Sequence, residues 1–262
     1  MKIDISFRQS DLEMADKCLE ATRRRYRAPI IEPTTSDMAR GNAVHAAIEL
    51  VGNDMLVHGE ATPIDIADTQ LEECMEAEFA AVEVWRDDRF KVEAITRLNF
   101  EAWYWEVLPN LEVPTSVEGP FRVLLDEDEE RRIWLTGTMD WVQSDRIIDW
   151  KNPSKPYARW EKQRWDNQST VYSYAVASET GDWSPKKFDL CMLCNGDVHW
   201  VHITRDEADW AALRDKCRAL ADLVAAPLKV WPQAWNSWYC SPKWCTAWDT
   251  CRGQFYPKGE PW

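Results

Sequence analysis

Gly137-Thr138-Met139-Asp140-Trp141-Val142-Gln143-Ser144-Asp145-Arg146-Ile147-Ile148-Asp149-Trp150-Lys151 decides how this chain reads. Two short apolar runs flank a polar turn, the pattern of a β-hairpin. With Ser144-Asp145 as the central turn residues, Asp140 falls directly opposite Asp149. Opposed side chains share a sheet face, with Cβ atoms about 4.5–5.5 Å apart. Carboxylates that close repel unless one is protonated or a cation lies between them. Lys151, two residues beyond Asp149, projects from the same face. Two acids and a lysine on one sheet surface outline a hard-metal hydrolysis site.

A charged hairpin can also be a solvated one, and a lone Asp-x-Lys carries little information. Here Ile133, Leu135, Trp141, Val142, Ile147, Ile148 and Trp150 surround the charges. Charged groups among such neighbours are costly to desolvate and need partners, which favours a functional site.

Downstream, Gln168-Ser169-Thr170-Val171-Tyr172 sits in a stretch from about 158 to 177 that reads as helix. Residues four apart lie on one helix face, so Gln168 and Tyr172 point the same way. Upstream, Ser36 is placed to cap a helix running to about 51, with Asp37 in its first turn. Within it lies Arg40-Gly41-Asn42-Ala43-Val44-His45. A glycine inside a helix costs roughly 1 kcal/mol relative to alanine, so Gly41 predicts close approach of another group. His45 follows one turn later on the same face; a lone helical histidine is more often a surface or core residue than a ligand.

Together, Gly-x-x-Asp, Ile-Asp-x-Lys, Gln-x-x-x-Tyr and Gly-x-x-x-His resemble the RecB-like nucleases of the PD-(D/E)XK superfamily. The resemblance covers roughly residues 10–251. It implies a restriction-endonuclease-like α/β core, a mixed central sheet flanked by helices, with a helical N-terminal elaboration. It also implies metal-dependent hydrolysis of DNA phosphodiesters, often exonucleolytic on single strands or duplex ends. In that scheme Asp140, Asp149, His45 and the Trp150 carbonyl hold Mg²⁺ or Mn²⁺. Lys151 orients or helps deprotonate the attacking water, and Gln168 and Tyr172 position the strand or Lys151. Glu118 matches an acidic residue at the first core strand; it binds metal directly, binds it through water, or is simply exposed.

The periodicities predict helices at about 8–26, 36–51, 68–86 and 90–107, strands near 120–126, 132–142 and 146–151, then the motif helix. Strands near 187–194 and 198–203 and a helix at about 206–225 follow. The expected organisation is a helical part (1–115, carrying Cys18 and His45), a nuclease core (116–230) and a cysteine- and tryptophan-rich tail (231–262), integrated in one domain.

Eight cysteines occur without an export signal, which argues against a disulfide scaffold. Cys191 and Cys194 fall in an apparent strand, where residues three apart face opposite ways. That pair reads as core, as do Cys74 and Cys217 in helical patterns. Cys240, Cys245 and Cys251 are different: closely spaced in an irregular aromatic segment, they suit a soft metal. A subset of RecB-like nucleases pairs one cysteine before the core with three after it and holds a [4Fe–4S] cluster there. CRISPR-associated adaptation nucleases and many phage relatives belong to that subset. By that resemblance Cys18 is the fourth ligand. The gap between Cys245 and Cys251 fits; the longer-than-usual gap between Cys240 and Cys245 leaves zinc as the alternative. Joining Cys18 to the tail would close a very long loop, giving the cluster a structural role.

The formal net charge of −14, from 31 Lys+Arg against 45 Asp+Glu, opposes generic nucleic-acid affinity. A local basic channel remains compatible, from Arg23, Arg24, Arg25 and Arg27 and from Lys155, Arg159, Lys162 and Arg164. Some of the 17 tryptophans could stack on bases. No apolar run approaches the roughly 18 residues of a membrane span, and the N-terminus lacks a secretory core. The expectation is a cytoplasmic protein, phage-encoded in a bacterial host as one origin. Its partners would be DNA together with recombination, repair, phage or CRISPR-adaptation proteins. Two other functions stay open: a poorly cleaving DNA-binding or complex subunit with the same fold, and a zinc-binding interaction protein.

Overall fold

A computed structural model describes residues 2–27 and 33–255; of Arg27 it describes the backbone alone, so that side chain lies outside the described residues. The chain divides into two compact units. The larger comprises Pro33–Arg122 and Gly137–Trp210, the smaller Met1–Glu32, Val123–Thr136 and Ala211–Trp262.

The larger unit is built on strands β2 (Ser116–Glu127), β3 (Arg131–Val142), β4 (Arg146–Lys151), β5 (Lys186–Cys194) and β6 (Asp197–Arg205), the ends of β2 and β3 near their connecting turn belonging to the smaller unit. Here β3, β4, β5 and β6 follow in that order, with β2 also paired to β3. The hairpin forms in the expected register: Trp141 faces Ile148, Val142 faces Ile147, and the Gln143 N–H closes the turn on the Arg146 carbonyl at 2.8 Å. β4 and β5 run parallel and β5 and β6 antiparallel, so the sheet is mixed. Every β5 residue from Phe188 to Cys194 is buried, as a strand covered on both faces must be. Asn195 and Gly196 take φ of +54° and +89°, the mirror-image turn that matches strand twist.

Helices α3 (Ser36–His58), α4 (Ile64–Ala80) and α5 (Arg89–Ala102) cover one face. Small residues Ala39, Ala43 and Ala47 with Ile48 and Val51 bring α3 down onto Trp141, Ile148, Trp150, Cys191 and Leu193. At Gly52 the approach is closest, since a Cβ there would lie 2.6 Å from the Trp141 ring and 2.9 Å from Val117. Gly41 does the opposite of what its position predicts: nothing lies within 4 Å of its Cβ direction. It borders open space. The α3 cap is Thr35, whose hydroxyl accepts from the Met38 N–H, while the Ser36 hydroxyl accepts from the Arg86 N–H. α5 continues into one π-helical stretch, Trp103–Val107, and Trp103 there packs edge-on against Trp141 and Trp150.

The motif helix is two helices, α6 (Arg159–Trp165) and α7 (Asn167–Thr180). Asp166 turns extended between them and caps α7 by accepting from the Ser169 N–H at 2.8 Å. Local side-chain capping beats helix continuation at an aspartate.

In the smaller unit β1 (Ile3–Phe7) runs parallel to the first half of β3. Five residues preceding a helix give too short a run for its period to stand out. The helix expected over 8–26 is α1 (Gln9–Lys17) and α2 (Leu19–Arg27), separated at Cys18, whose φ and ψ of −168° and 117° are extended. α8 (Glu207–Ala225) ends near an irregular tail. Cys191, Cys194 and Cys217 are buried as expected, and Cys74 is half-buried. No helix among the described residues is long and apolar enough to cross a membrane.

Candidate active site

Because Trp141 and Trp150 point into the helical core beneath α3, alternation aims Asp140, Asp149 and Lys151 at the opposite face. The hairpin geometry thus brings two carboxylates and an ammonium together. Lys151 Nζ lies 2.5 Å from Asp149 Oδ2. Asp140 Oδ2 accepts from the Trp150 N–H at 3.0 Å, ending the strand ladder with a side chain. Asp149 is 0 % exposed. Its Oδ1 accepts from Gln168 Nε2 at 2.5 Å, and the same nitrogen donates to the Tyr172 hydroxyl at 3.1 Å. The Gln-x-x-x-Tyr spacing on α7 therefore holds the buried acid from behind.

α3 brings His45 to the same place, Nδ1 standing 3.5 Å from Asp140 Oδ2, with the ring hydrogen-bonded to the Trp150 backbone. Glu118 enters from the bent start of β2 with φ of +44°. A left-handed backbone at a non-glycine residue is strained, and such strain gathers at functional sites. His45, Glu118 and Asp140 each present a ligand atom within 4.8 Å of the others. They line an open cavity of about 660 Å³ together with Glu49, Lys151 and Tyr157.

The electrostatics call for a cation. Burial, then repulsion from Asp140, raises Asp149 to about 7, against the pull of Lys151. Burial raises Asp140 too, and burial with Asp140 and Glu49 raises Glu118 to about 7. One lysine does not neutralise this many carboxylates. Burial, with Lys151 adding repulsion, lowers His45 to about 4, leaving a neutral imidazole at pH 7 with a lone pair for a metal. Burial alone would lower Lys151, but Asp149 and Asp140 together raise it, so it stays an ammonium. A neutral imidazole and two carboxylates whose ligand atoms lie within 4.8 Å of one another fit a divalent, oxygen-preferring cation.

Sequence reasoning missed Glu49, Asn152 and Tyr157, which also line the cavity. Glu49 was discoverable: it stands one helical turn beyond His45, on the same face. Asn152 directly follows Lys151, but no periodicity marks where a strand end turns.

Elsewhere, Cys18, Cys240, Cys245 and Cys251 border one small cavity of the smaller unit. Of the N-terminal arginines, Arg23 and Arg24 both pair with buried Glu20, and the Arg27 side chain lies outside the described residues.

Residues 7–252 match the PD-(D/E)XK nuclease superfamily. Among solved structures, the "putative exonuclease" of Eubacterium rectale aligns at 12 % identity over 97 % of this chain and 90 % of that one, with a TM-score of 0.51. That similarity concerns the fold alone. SSO0001 aligns at 12 % identity over 94 % of this chain and 97 % of that one, but its TM-score of 0.37 is too low to establish a shared fold. No curated protein matches. With nearly its whole length matched and the Asp140, Asp149 and Lys151 side chains gathered at one cavity, the chain belongs to the PD-(D/E)XK nuclease superfamily.

Proposed function

We propose that this nuclease hydrolyses DNA phosphodiesters, acting as an exonuclease with Mg²⁺ or Mn²⁺. The observation that carries the reading is the convergence of His45, Glu118 and Asp140 on one point, with Asp149 and Lys151 immediately beneath. These residues and the Trp150 carbonyl would hold the cation. When bound, it supplies Lewis-acid polarisation of the phosphate and an acidified water.

The chain's own groups do the rest. Gln168 fixes the Asp149 carboxylate, and Asp149 fixes the Lys151 ammonium. Held protonated, Lys151 is suited to orient water and to offset charge developing on the phosphate oxygens, rather than to accept a proton. The cavity wall adds Asp37 and Glu49 to Glu118 and Asp140. Such a wall repels a phosphodiester until divalent charge compensates it, which links substrate binding to metal.

For the tail we propose a structural [4Fe–4S] cluster on Cys18, Cys240, Cys245 and Cys251. Zinc on the same four sulfurs is the alternative.

Anaerobically purified protein should cleave end-labelled DNA in Mn²⁺, and Lys151→Ala should not. Equal cleavage by both would remove the proposed active site. No cleavage by either would leave a DNA-binding subunit as the better reading. Brown colour and bound iron, absent from Cys18→Ser, test the cluster.

A further inference from the structure

We infer that the exposed aromatic and basic surface of α6, with Tyr157, is a stacking path that carries a single nucleic-acid strand into the active-site cavity. This rests on the nuclease reading and adds a strand-selecting element to it.

Helix α6 buries none of its residues. Trp160 and Trp165 are 58 % and 61 % exposed, their rings meeting edge-on at 5.1 Å. A seven-residue helix without a buried face is not stable alone, and polar ties hold this one. Buried Arg205 donates to the Gln163 carbonyl at 2.8 Å and to the Thr170 hydroxyl at 3.0 Å. Lys162 pairs with Asp166 at 2.7 Å, and Gln163 donates to the His202 carbonyl at 3.1 Å. The tryptophans contribute nothing to the core that would explain their size. Large apolar groups left exposed together on a fixed element mark a binding surface.

Charge identifies the occupant. In a chain of net charge −14, this segment carries Lys155, Arg159, Lys162 and Arg164 against Glu161 and the Asp166 that pairs with Lys162. Lys155 and Arg159 form no ion pair among the described residues. Arg164 lies 5.8 Å from the Trp165 ring centre and Lys162 4.9 Å from that of Tyr157. Cations interleaved with exposed rings suit phosphates alternating with unstacked bases. A duplex keeps its bases stacked inside and offers these rings only backbone. Continuity with the chemistry comes from Tyr157, which precedes α6 and lines the cavity holding His45, Asp140 and Lys151.

The test is binding of a fluorescent single-stranded oligonucleotide and of its duplex to the full chain, by anisotropy in EDTA, so that no cleavage is needed. Trp160→Ala and Trp165→Ala should each weaken single-strand binding by about 5- to 150-fold, with thermal melting unchanged and duplex binding altered less than about threefold. Trp165→Tyr should restore most of the affinity and Trp165→Leu should not, separating stacking from apolar contact. Unchanged single-strand binding in both alanine variants, an equal fall for duplex, or a wild type that fails to hold single strands would each overturn the proposal. Cleavage by wild type and its loss in Lys151→Ala, measured separately in Mn²⁺, report on the nuclease reading; either can fail without the other.

Discussion

Gly137, the glycine of the Gly-x-x-Asp motif, can be replaced by alanine to test how the fold holds the site. A Cβ there would lie 2.8 Å from both Cε1 and Cζ of Phe121 and 3.5 Å from Cε1 of Tyr172. Carbon contacts are optimal near 3.5–4.0 Å, so the Phe121 ring must retreat by about 1 Å. That ring is buried and packs edge-on against Tyr172 at 5.6 Å, and Tyr172 packs against Phe188 at 6.2 Å. The displacement passes to Tyr172, then to Gln168, then to Asp149. Overpacking costs about 1–3 kcal/mol, and the stiffer unfolded chain returns about 0.4–1 kcal/mol. Gly137→Ala should therefore lose about 1–2 kcal/mol in urea unfolding. Because a shift of about 1 Å at a catalytic group costs on the order of 100-fold, kcat should fall by about that factor. Phe121→Leu should relieve the clash, so the double variant should show a coupling energy of at least about 0.5 kcal/mol. Strict additivity, or a single variant with wild-type stability and rate, would refute the chain of contacts.

Gln168→Ala should weaken Mn²⁺ binding by about 10- to 100-fold by calorimetry, because Asp149 loses its Nε2 donor; unchanged affinity would leave Gln168 without this role. Mn²⁺ affinity should rise between pH 6 and 8, as Asp149 and Glu118 shed protons near 7, while His45, neutral above about 4, adds nothing there. By the same shifts, the metal-free fold binds more protons than the unfolded chain between the ordinary carboxylate range and about 7, so its stability should fall as pH rises through that window. His45 opposes this, since its lowered value favours the fold as pH rises from about 4 to 6.5, and Mn²⁺ should abolish the net loss; a melting temperature rising from pH 5 to 8 without metal would contradict it. Gly41→Ala should raise the melting temperature, with up to about 1 kcal/mol gained in helix propensity, because no neighbour lies within 4 Å.

What was legible in the sequence was whatever a period of two or a tight turn fixes. The Ser144-Asp145 turn sets the register, and alternation then puts Asp140, Asp149 and Lys151 on one face with both tryptophans on the other. Residues whose placement depends on tertiary approach were not legible. Gly41 and Gly52 lie on the same helix, yet only Gly52 meets a neighbour, a distinction that exists only once α3 is docked on Trp141. Glu118 reaches the site through a left-handed residue, and no pattern of polarity announces a single positive φ. Local competition hid other details: Asp166 and Cys18 each interrupt a helical pattern that is continuous in hydrophobicity.

The site's electrostatics bind these observations into one argument about order of assembly. Without a cation, burial of Asp149 beside Asp140 raises both carboxylates, and proton uptake is the cheapest relief available to the fold. Lys151 shields one carboxylate and is itself fixed by it, leaving Glu118 and Asp140 facing His45 across an acidic cavity. A phosphodiester entering such a cavity first would meet net repulsion. On the proposed reading, divalent metal therefore precedes or accompanies the strand. A single-strand affinity of the cleavage-deficient Lys151→Ala protein that rises steeply with Mn²⁺ above its value in EDTA is the signature of that order.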